Sequence, residues 1–176
     1  EGGSLGLLPA LTNGTGYTRI VAVEFDTFLN PQNADVNGNH VGIDVNSVNS
    51  TASTDTTTIP GRNLTSSHVM TATVKYHNGS KLLAVDLLID DAMYQVNATI
   101  DLRRYLPEEV AIGFSAATVW AAELHEILSW SFSSTLQLGS RLESNKEAPP
   151  PAQLPTPTSS KHKMLVVTLL SVVVPL

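Results

Sequence analysis

The chain has 176 residues and a formal net charge of −6, from 16 acidic and 10 basic residues. This length is typical of one domain, and because no stripe of basic residues is present, nucleic acid is not expected as a partner. Cysteine is absent, so disulfides give no information about the compartment.

Asparagine sequons indicate the compartment instead. Five Asn-x-Ser/Thr triplets occur, at Asn13, Asn49, Asn63, Asn78 and Asn97. This triplet is the acceptor for N-glycosylation, so a glycoprotein of the secretory route is expected. Loops rich in Asn and Thr also generate such triplets by chance, which is the alternative.

The first residues, 1–8, read Glu-Gly-Gly-Ser-Leu-Gly-Leu-Leu. An ordinary glycine turn accounts for them, although glycine is also the residue that lets a backbone approach a ligand closely. The chain does not begin with Met and shows no signal peptide. We therefore expect a fragment whose beginning is missing.

A strand with two acidic side chains on one face is predicted at the start of the stretch 21–47. Val21, Val23 and Phe25 share one face, and Glu24 and Asp26 share the other. Like charges on one face repel and are costly to bury unless a cation neutralises them. The strand therefore predicts a cation site, and the alternative is a solvated acidic turn.

The loop that follows brings further polar groups back towards this strand. It carries Phe28, Asn30 and Asp35 and ends at His40, where the apolar run 41–45 predicts the returning strand. Hard oxygen ligands suit calcium, and one imidazole among carboxylates suits manganese or a similar transition ion. The loop therefore strengthens the prediction of a metal site.

Strands are predicted for much of the next part of the chain. The Ser/Thr/Asn-rich stretch 48–62 reads as a loop or a weak edge strand. Three strands follow, at 67–76, 81–89 and 93–101. The dipeptide Asn78-Gly79 predicts the first hairpin turn, because Asn-Gly readily adopts positive φ.

Two histidines of this region are interpreted as structural. His68 falls in a strand and His77 in a turn, and no acidic residue is patterned near either. A metal site needs further ligands beside an imidazole, so neither histidine is assigned to one.

Two further strands are predicted before the composition changes. The stretch 106–118 reads Leu-Pro-Glu-Glu-Val-Ala-Ile-Gly-Phe-Ser-Ala-Ala-Thr. It predicts a buried strand with three alternating apolar residues, Val110, Ile112 and Phe114. The loop 119–123 follows, and residues 123–136 predict a closing strand with an aromatic core face.

The remaining residues predict a stalk and an apolar segment. Residues 139–163 are rich in Pro, Ser and Thr, which predicts an extended linker of polyproline character. Residues 164–176 are almost wholly apolar but fewer than the ~20 residues that span a bilayer. We expect a truncated transmembrane helix here, with the membrane as partner, and a buried core helix is the alternative.

Four stretches together resemble the legume-type (L-type) lectin domain. Residues 21–47 resemble its metal-loop signature, and 106–118 resemble its second signature, Leu-Pro-Glu-x-Val-x-Val-Gly-Phe-Ser-Ala. The run 127–132, Ile-Leu-Ser-Trp-Ser-Phe, resembles its closing strand. Residues 2–7 are similar to the Gly-Gly-x-Leu-Gly-Leu segment that precedes the metal loop. The resemblance covers roughly residues 2–136.

The resemblance implies a paired calcium and manganese site. The transition-metal ligands would be Glu24, Asp26, Asp35 and His40. The calcium ligands would be Asp26, Asp35, Asn30 and the backbone carbonyl of Phe28, so that the two aspartates bridge the ions. Ser50 matches a position that hydrogen-bonds a metal-bound water, and a surface serine is the alternative.

The resemblance also implies a sugar site above the ions. The amide of Asn30 would donate to a sugar hydroxyl, the ring of Phe28 would stack on the sugar, and Gly3 would offer its backbone N–H, with Gly2 as the alternative. Trp120 and Ala121 fall in a variable loop whose backbone N–H groups meet the sugar. The ring of Trp120 would either stack on the pyranose or be a partly buried core tryptophan.

The expected fold is all-β, a legume-lectin (concanavalin-like) jelly-roll sandwich that is incomplete on its N-terminal side. Residues 1–138 would be the C-terminal portion of the lectin domain, 139–163 a juxtamembrane linker and 164–176 the truncated helix. The missing upstream half would include an Asp that contacts the sugar. This order resembles the extracellular part of plant L-type lectin receptor kinases at the plasma membrane, whose kinase half is absent here. A homodimer through sheet edges is a further expected partner.

The expected function is calcium- and manganese-dependent carbohydrate binding by a plant cell-surface receptor. The alternative is a degenerate sugar site that senses a non-carbohydrate apoplastic ligand, since Val119 stands where the family commonly has glycine. An enzyme is not expected. Glycosidases on a similar jelly roll use Glu-x-Asp-x-Glu, and this chain has Phe28 in place of the last acid.

Overall fold

The computed structural model describes residues 5–7, 19–118 and 124–134, and these contain two three-stranded antiparallel sheets. The first sheet has the order β1 (Val21–Asp26), β2 (His40–Val45) and β3 (Ala52–Asp55). The second has the order β4 (Met70–His77), β5 (Leu82–Ile89) and β6 (Ala92–Thr99). A short helix, α1 (Leu102–Tyr105), follows β6. The all-β prediction is confirmed.

The first sheet confirms the two strands predicted on either side of the metal loop. In the antiparallel ladder Glu24 pairs with Gly42 and Asp26 pairs with His40. Directly opposite residues share a face, so the two acids and the histidine lie on one side of the sheet. The weak edge strand predicted within 48–62 is β3, which pairs only with β2 among the described strands.

The second sheet is a meander joined by two short turns. The bounds of the three strands are close to those predicted, although β6 ends at Thr99 rather than Asp101. The short helix α1 was not predicted. In the β4–β5 turn the residue with positive φ is Lys81, at 59°. The predicted hairpin turn is confirmed, but the expected positive φ at Asn78-Gly79 is wrong, because the turn closes around four residues and its left-handed position falls at the last of them.

The core lies between the two sheets and is almost wholly aliphatic. Side chains from β1 and β2 meet those from β5 and β6 in one buried cluster. Its fully or almost fully buried members from the two sheets are Val21, Val23, Phe25, Val41, Ile43, Leu83, Val85, Leu87, Ile89, Ala92, Tyr94 and Val96. A hydrogen bond also joins the two sheets: Thr54 Oγ1 of β3 donates to the backbone carbonyl of Gln95 in β6, 2.7 Å away.

The segment between β3 and β4 is fixed to the turn between β5 and β6. Arg62 Nε lies 3.0 Å from Asp91 Oδ1 and 3.4 Å from Asp90 Oδ2, and His68 Nδ1 lies 2.8 Å from the same Asp90 oxygen. The prediction that His68 has no acidic partner is therefore wrong. Asp90 comes from a distant part of the sequence and takes positive φ, at 52°. His68 remains a structural residue, as expected.

Neither of the two strands predicted after residue 105 is present in the residues that the structure describes. Residues 107–118 and 124–134 adopt no regular structure, and no described strand pairs with them. Val110, Ile112 and Phe114 are only half-buried, although Val110 packs against the core, and Trp130 and Phe132 are more than half exposed. The predicted buried strand and the predicted aromatic core face are therefore not formed. Phe114 and Trp130 nevertheless contact each other edge to face, with ring centroids 5.3 Å apart. A strand needs a hydrogen-bonded neighbour, and the alternation of side chains alone did not supply one.

The Gly-rich start of the chain lies beside the second lectin-like motif. Ser115 Oγ donates to the carbonyl of Leu5, 2.7 Å away, and Leu5 is buried. Gly6 has a φ of +67°, and a Cβ there would lie 3.2 Å from the Ala116 carbonyl oxygen. Glycine fits this position because a side chain would be strained as well as crowded.

Several predicted features lie outside the described residues. They are Gly3, Asn13, Trp120, Ala121, the linker 139–163 and the apolar segment 164–176. In the part of the chain that the structure describes, no helix is both long and apolar enough to cross a membrane.

Candidate metal and ligand site

Glu24, Asp26 and His40 form a buried cluster on one face of the first sheet, which we call the site face. One ligand atom from each lies within 4.8 Å of the others, and all three residues are buried. The ladder brings them together, because Asp26 is directly opposite His40 and Glu24 is two residues away on the same face. Three of the predicted metal residues therefore converge.

The imidazole of His40 is oriented by two hydrogen bonds. Nδ1 lies 2.9 Å from the carbonyl of Asn37, and a carbonyl can only accept, so Nδ1 carries the proton. Nε2 lies 3.2 Å from Glu24 Oε1. A backbone acceptor on one ring nitrogen is the usual way of directing the other nitrogen towards a metal.

The loop residues surround this cluster. Asp26 Oδ1 accepts from the backbone N–H of Phe28 at 2.7 Å, and Asp35 Oδ2 accepts from that of Asn30 at 2.6 Å. These bonds hold the loop that contains a single 3₁₀ turn, Pro31–Asn33, against the strand. Asp35 is half-buried and its charge acts on Asp26. It lies beside the cluster but does not belong to its three converging residues.

Phe28 and Asn30 lie in the loop beside the cluster, where their backbone N–H groups are held by Asp26 and Asp35. The ring of Phe28 is 55% exposed, although the loop on either side is anchored. Asn30 is half-buried, and its side chain does not cap the 3₁₀ turn that it precedes. An exposed aromatic ring beside an amide can offer both an apolar face and a hydrogen-bond donor to a ligand.

The pKa values of Asp26, Asp35 and His40 indicate that the acidic groups lack a compensating positive charge. Burial, followed by the charge of Glu24, raises the pKa of Asp26 to about 6, although the Phe28 N–H opposes this. Burial also raises the pKa of Asp35. Burial lowers the pKa of His40, but the hydrogen bond and charge of Glu24 outweigh it and the pKa is raised. The residues therefore fit a bound cation, which would supply the charge that protons otherwise provide.

Asp44 is a site residue that the sequence analysis missed. It is completely buried opposite Ala22, and burial and then the charge of Glu24 raise its pKa far above the ordinary value. Its Oδ2 has no hydrogen-bond partner among the described residues. An acid at alternate spacing from His40 inside the apolar run 41–45 was the signal that could have identified it.

Ser50 connects this buried acid to the cluster. Its Oγ lies 2.9 Å from Asp44 Oδ1 and also hydrogen-bonds Glu24 Oε1. A hydroxyl has one proton and can donate to only one of the two. Burial raises the pKa of Asp44, which favours its neutral form; a neutral Asp44 would donate to Ser50, and Ser50 would then donate to Glu24. Of the two interpretations of Ser50, the surface serine is wrong.

Gly42 completes the site face between the two strands. A Cβ at this position would overlap with Ser50 Oγ and would lie 2.5 Å from Glu24 Oε1. The backbone of Gly42 therefore provides the space in which Glu24 and Ser50 meet. No role for this glycine was predicted from the sequence.

Comparison with known proteins identifies the domain. The sequence model of the legume lectin domain matches residues 1–149. The chain is 37% identical over 166 residues to L-type lectin-domain containing receptor kinase VIII.1 of Arabidopsis thaliana, a match that covers 92% of this chain and 22% of the kinase. It is 41% identical over 137 residues to the galactose-binding lectin of Arachis hypogaea, covering 77% of this chain and 46% of that lectin.

A solved structure shares the architecture. The lectin from Bauhinia forficata in complex with GalNAc superposes with a TM-score of 0.52 at 33% identity, covering 58% of this chain and 44% of that one. The chain thus spans about half the length of the lectins that it matches and about a fifth of the receptor kinase. The family model and these relatives together show that the chain belongs to the legume lectin domain family.

Proposed function

We propose that this domain binds carbohydrate in a calcium- and manganese-dependent manner. The observation that carries the proposal is the buried cluster of Glu24, Asp26 and His40, together with the hydrogen bond by which Asp26 holds the backbone of the exposed Phe28 beside it. The relatives support it, since one is described as a galactose-binding lectin and another was solved with GalNAc.

The roles of the residues follow from their chemistry. Glu24, Asp26, Asp35 and His40 would hold the transition ion, and Asp26, Asp35, Asn30 and the Phe28 carbonyl would hold calcium. Bound cations neutralise the buried acids and make the loop rigid. A sugar hydroxyl both donates and accepts, so a rigid Asn30 amide can select it while the Phe28 ring covers the apolar face of the sugar. Gly3, Trp120 and Ala121 remain predicted contacts.

The proposed setting is the outer surface of a plant cell. Residues 1–138 would be lectin domain, 139–163 a stalk and 164–176 part of a membrane anchor, as in an L-type lectin receptor kinase. Of the predicted glycosylation sites, Asn49, Asn78 and Asn97 are exposed and Asn63 is half-buried. Exposed sequons are consistent with passage through the secretory route. Sheet edges would provide the contact for a homodimer.

The test is retention of the full chain on immobilised galactose, GalNAc, mannose and glucose, with calcium and manganese or with a chelator. We expect metal-dependent retention on at least one sugar. The variant Asp26→Asn preserves an acceptor for the Phe28 N–H but removes the charge, so it should lose both ions and the sugar. Asp86→Asn, on the outer face of the second sheet, is the control and should retain both.

Two results would overturn parts of the proposal. Unchanged calcium affinity in Asp26→Asn would contradict the metal assignment. Normal ion binding without retention on any sugar would favour the alternative, a non-carbohydrate apoplastic ligand.

A further inference from the structure

We propose that Asn39 is the positioning residue of the metal loop: it clamps the segment 56–65 onto the loop and thereby fixes the imidazole of His40. This inference deepens the proposed metal-dependent function and rests on it. Asn39 is the residue immediately before His40.

The side chain of Asn39 joins two parts of the chain that are distant in sequence. Its Oδ1 accepts from the backbone N–H of Leu64 at 2.8 Å, and its Nδ2 donates to Thr65 Oγ1 at 3.3 Å. A backbone N–H can only donate, so the atom facing Leu64 must be the oxygen, which fixes the orientation of the amide. The clamp therefore uses both ends of one planar group.

The backbone of Asn39 is held as firmly as its side chain. Its carbonyl accepts from both the N–H and the hydroxyl of Thr56, each at 2.9 Å. Its N–H donates to Asn37 Oδ1 at 2.8 Å. Every polar group of Asn39 is thus engaged, and its freedom to rotate is removed.

Asn37 transmits this constraint to the metal ligand. Its side chain accepts from Asn39, and its carbonyl is the acceptor for His40 Nδ1. A displaced Asn37 would release the bond that fixes the ring orientation and tautomer of His40. Residues that orient a metal-binding histidine in this way affect affinity without touching the ion.

The other side of the clamp is anchored in the core. Thr56 and Leu64 are completely buried, and Tyr94 of β6 donates its hydroxyl to the carbonyl of Arg62. The segment 56–65 is therefore a fixed support and not a free loop. This segment links the second sheet, through Asn39, to His40 on the first sheet.

The test uses matched substitutions in the full chain. Asn39→Ala removes the clamp. Thr65→Val removes the hydroxyl that accepts from Asn39 Nδ2 at nearly constant shape, and Thr65→Ser restores a hydroxyl. Thr65→Val also destroys the Asn63 sequon and the hydrogen bond from Thr65 Oγ1 to Asn63 Oδ1, so Asn63→Gln controls for the glycan and for that bond. Gln32→Ala, exposed in the same loop, controls for substitution near the site.

Two measurements are made on each protein. The first is the affinity for Mn²⁺ and Ca²⁺ alone, by calorimetry. The second is the ¹⁵N NMR signal of the His40 ring in metal-free protein, which reports its tautomer. We expect Asn39→Ala and Thr65→Val to weaken Mn²⁺ binding about 10- to 100-fold and to mix the tautomers, whereas Thr65→Ser, Asn63→Gln and Gln32→Ala behave as wild type.

The outcomes separate the clamp from the proposed function. If the wild-type chain binds neither ion, the proposed function fails, and the ring signal alone still judges the clamp. Unchanged affinity and an unchanged His40 signal in Asn39→Ala would overturn the inference. If Asn39→Ala does not fold, the comparison of Thr65→Val with Thr65→Ser decides, and equal behaviour of these two variants would overturn it.

Discussion

Gly42 lies directly opposite Glu24 in the β1–β2 ladder, and the carboxylate of Glu24 occupies the space that a side chain at position 42 would fill. This pairing explains how a long acidic side chain and the Ser50 hydroxyl fit on the face of a fully buried strand. It also makes the glycine a sensitive probe of the site.

Gly42→Ala should therefore damage the metal site from the second strand. The new Cβ would displace Glu24 and Ser50, and overpacking of this kind lowers the free energy of unfolding by about 1–3 kcal/mol. We expect ion affinity to fall by about 10-fold or more. Calorimetry and chemical denaturation measure the two effects. Gly113→Ala is the control, since a Cβ there meets nothing within 4 Å; equal behaviour of the two variants would contradict the assignment.

Phe28→Ala should separate sugar binding from metal binding. The ring is exposed, so its loss should change the free energy of unfolding by no more than about 0.5 kcal/mol. Loss of stacking should lower the affinity for sugar about tenfold. The ions should bind normally, because they need only the backbone carbonyl of residue 28. Val36→Ala is the matched control, because both side chains are 55% exposed in one loop. A parallel loss of metal would show that the ring is structural.

Stability without metal should fall as the pH rises. The pKa of Asp26 is about 6 in the folded state and about 3.8 when unfolded, so between these values the folded state binds more protons. Stability contributed by this proton is present at low pH and lost as the pH rises through the folded pKa. The raised pKa of His40 acts in the same direction at higher pH.

Denaturant unfolding at about pH 5 and pH 7.5 tests this dependence. With a chelator we expect greater stability at the lower pH. With saturating calcium and manganese the order should reverse, because protons compete with the ions for the same groups. Asp26→Asn should flatten the metal-free dependence, and an unaltered slope would rule out Asp26 as its main source.

Asp44→Asn should be tolerated, although Asp44 is completely buried beside the site. The raised pKa means that a neutral group already occupies this position at neutral pH, and an amide can still donate to Ser50. We expect ion affinity within about threefold of wild type and unchanged or greater stability. Asp44→Ala should be destabilising by about 1–3 kcal/mol, because it leaves a partly buried hydroxyl without this partner. A large loss of affinity in Asp44→Asn would indicate that the charge of Asp44 is needed.

Local signals made the metal loop predictable from the sequence. Glu24 and Asp26 alternate on one short strand, and the loop is short enough that His40 had to return beside them. The register that pairs Asp26 with His40 follows from burying Val23 and Phe25 on the other face. The identity of the chemistry, by contrast, came from the resemblance of the motif to a family.

Long-range contacts could not be predicted in the same way. Nothing near His68 in the sequence indicates that Asp90 will lie 2.8 Å away, since the β5–β6 turn brings it there. The contact of Asn39 with Leu64 and Thr65 depends on the path of the intervening chain. Residues 107–118 and 124–134 alternate like strands, but pairing needs a partner strand that periodicity cannot reveal.

All six residues of β1 are buried, so both of its faces are covered and its two acids are enclosed during folding. Burial raises the pKa of Asp26, so this acid enters the interior either with a proton or beside a cation. Refolding of denatured protein in neutral buffer should therefore be slow and low in yield when chelator is present, and purification schemes for this domain should add divalent salts before dilution from denaturant, not after.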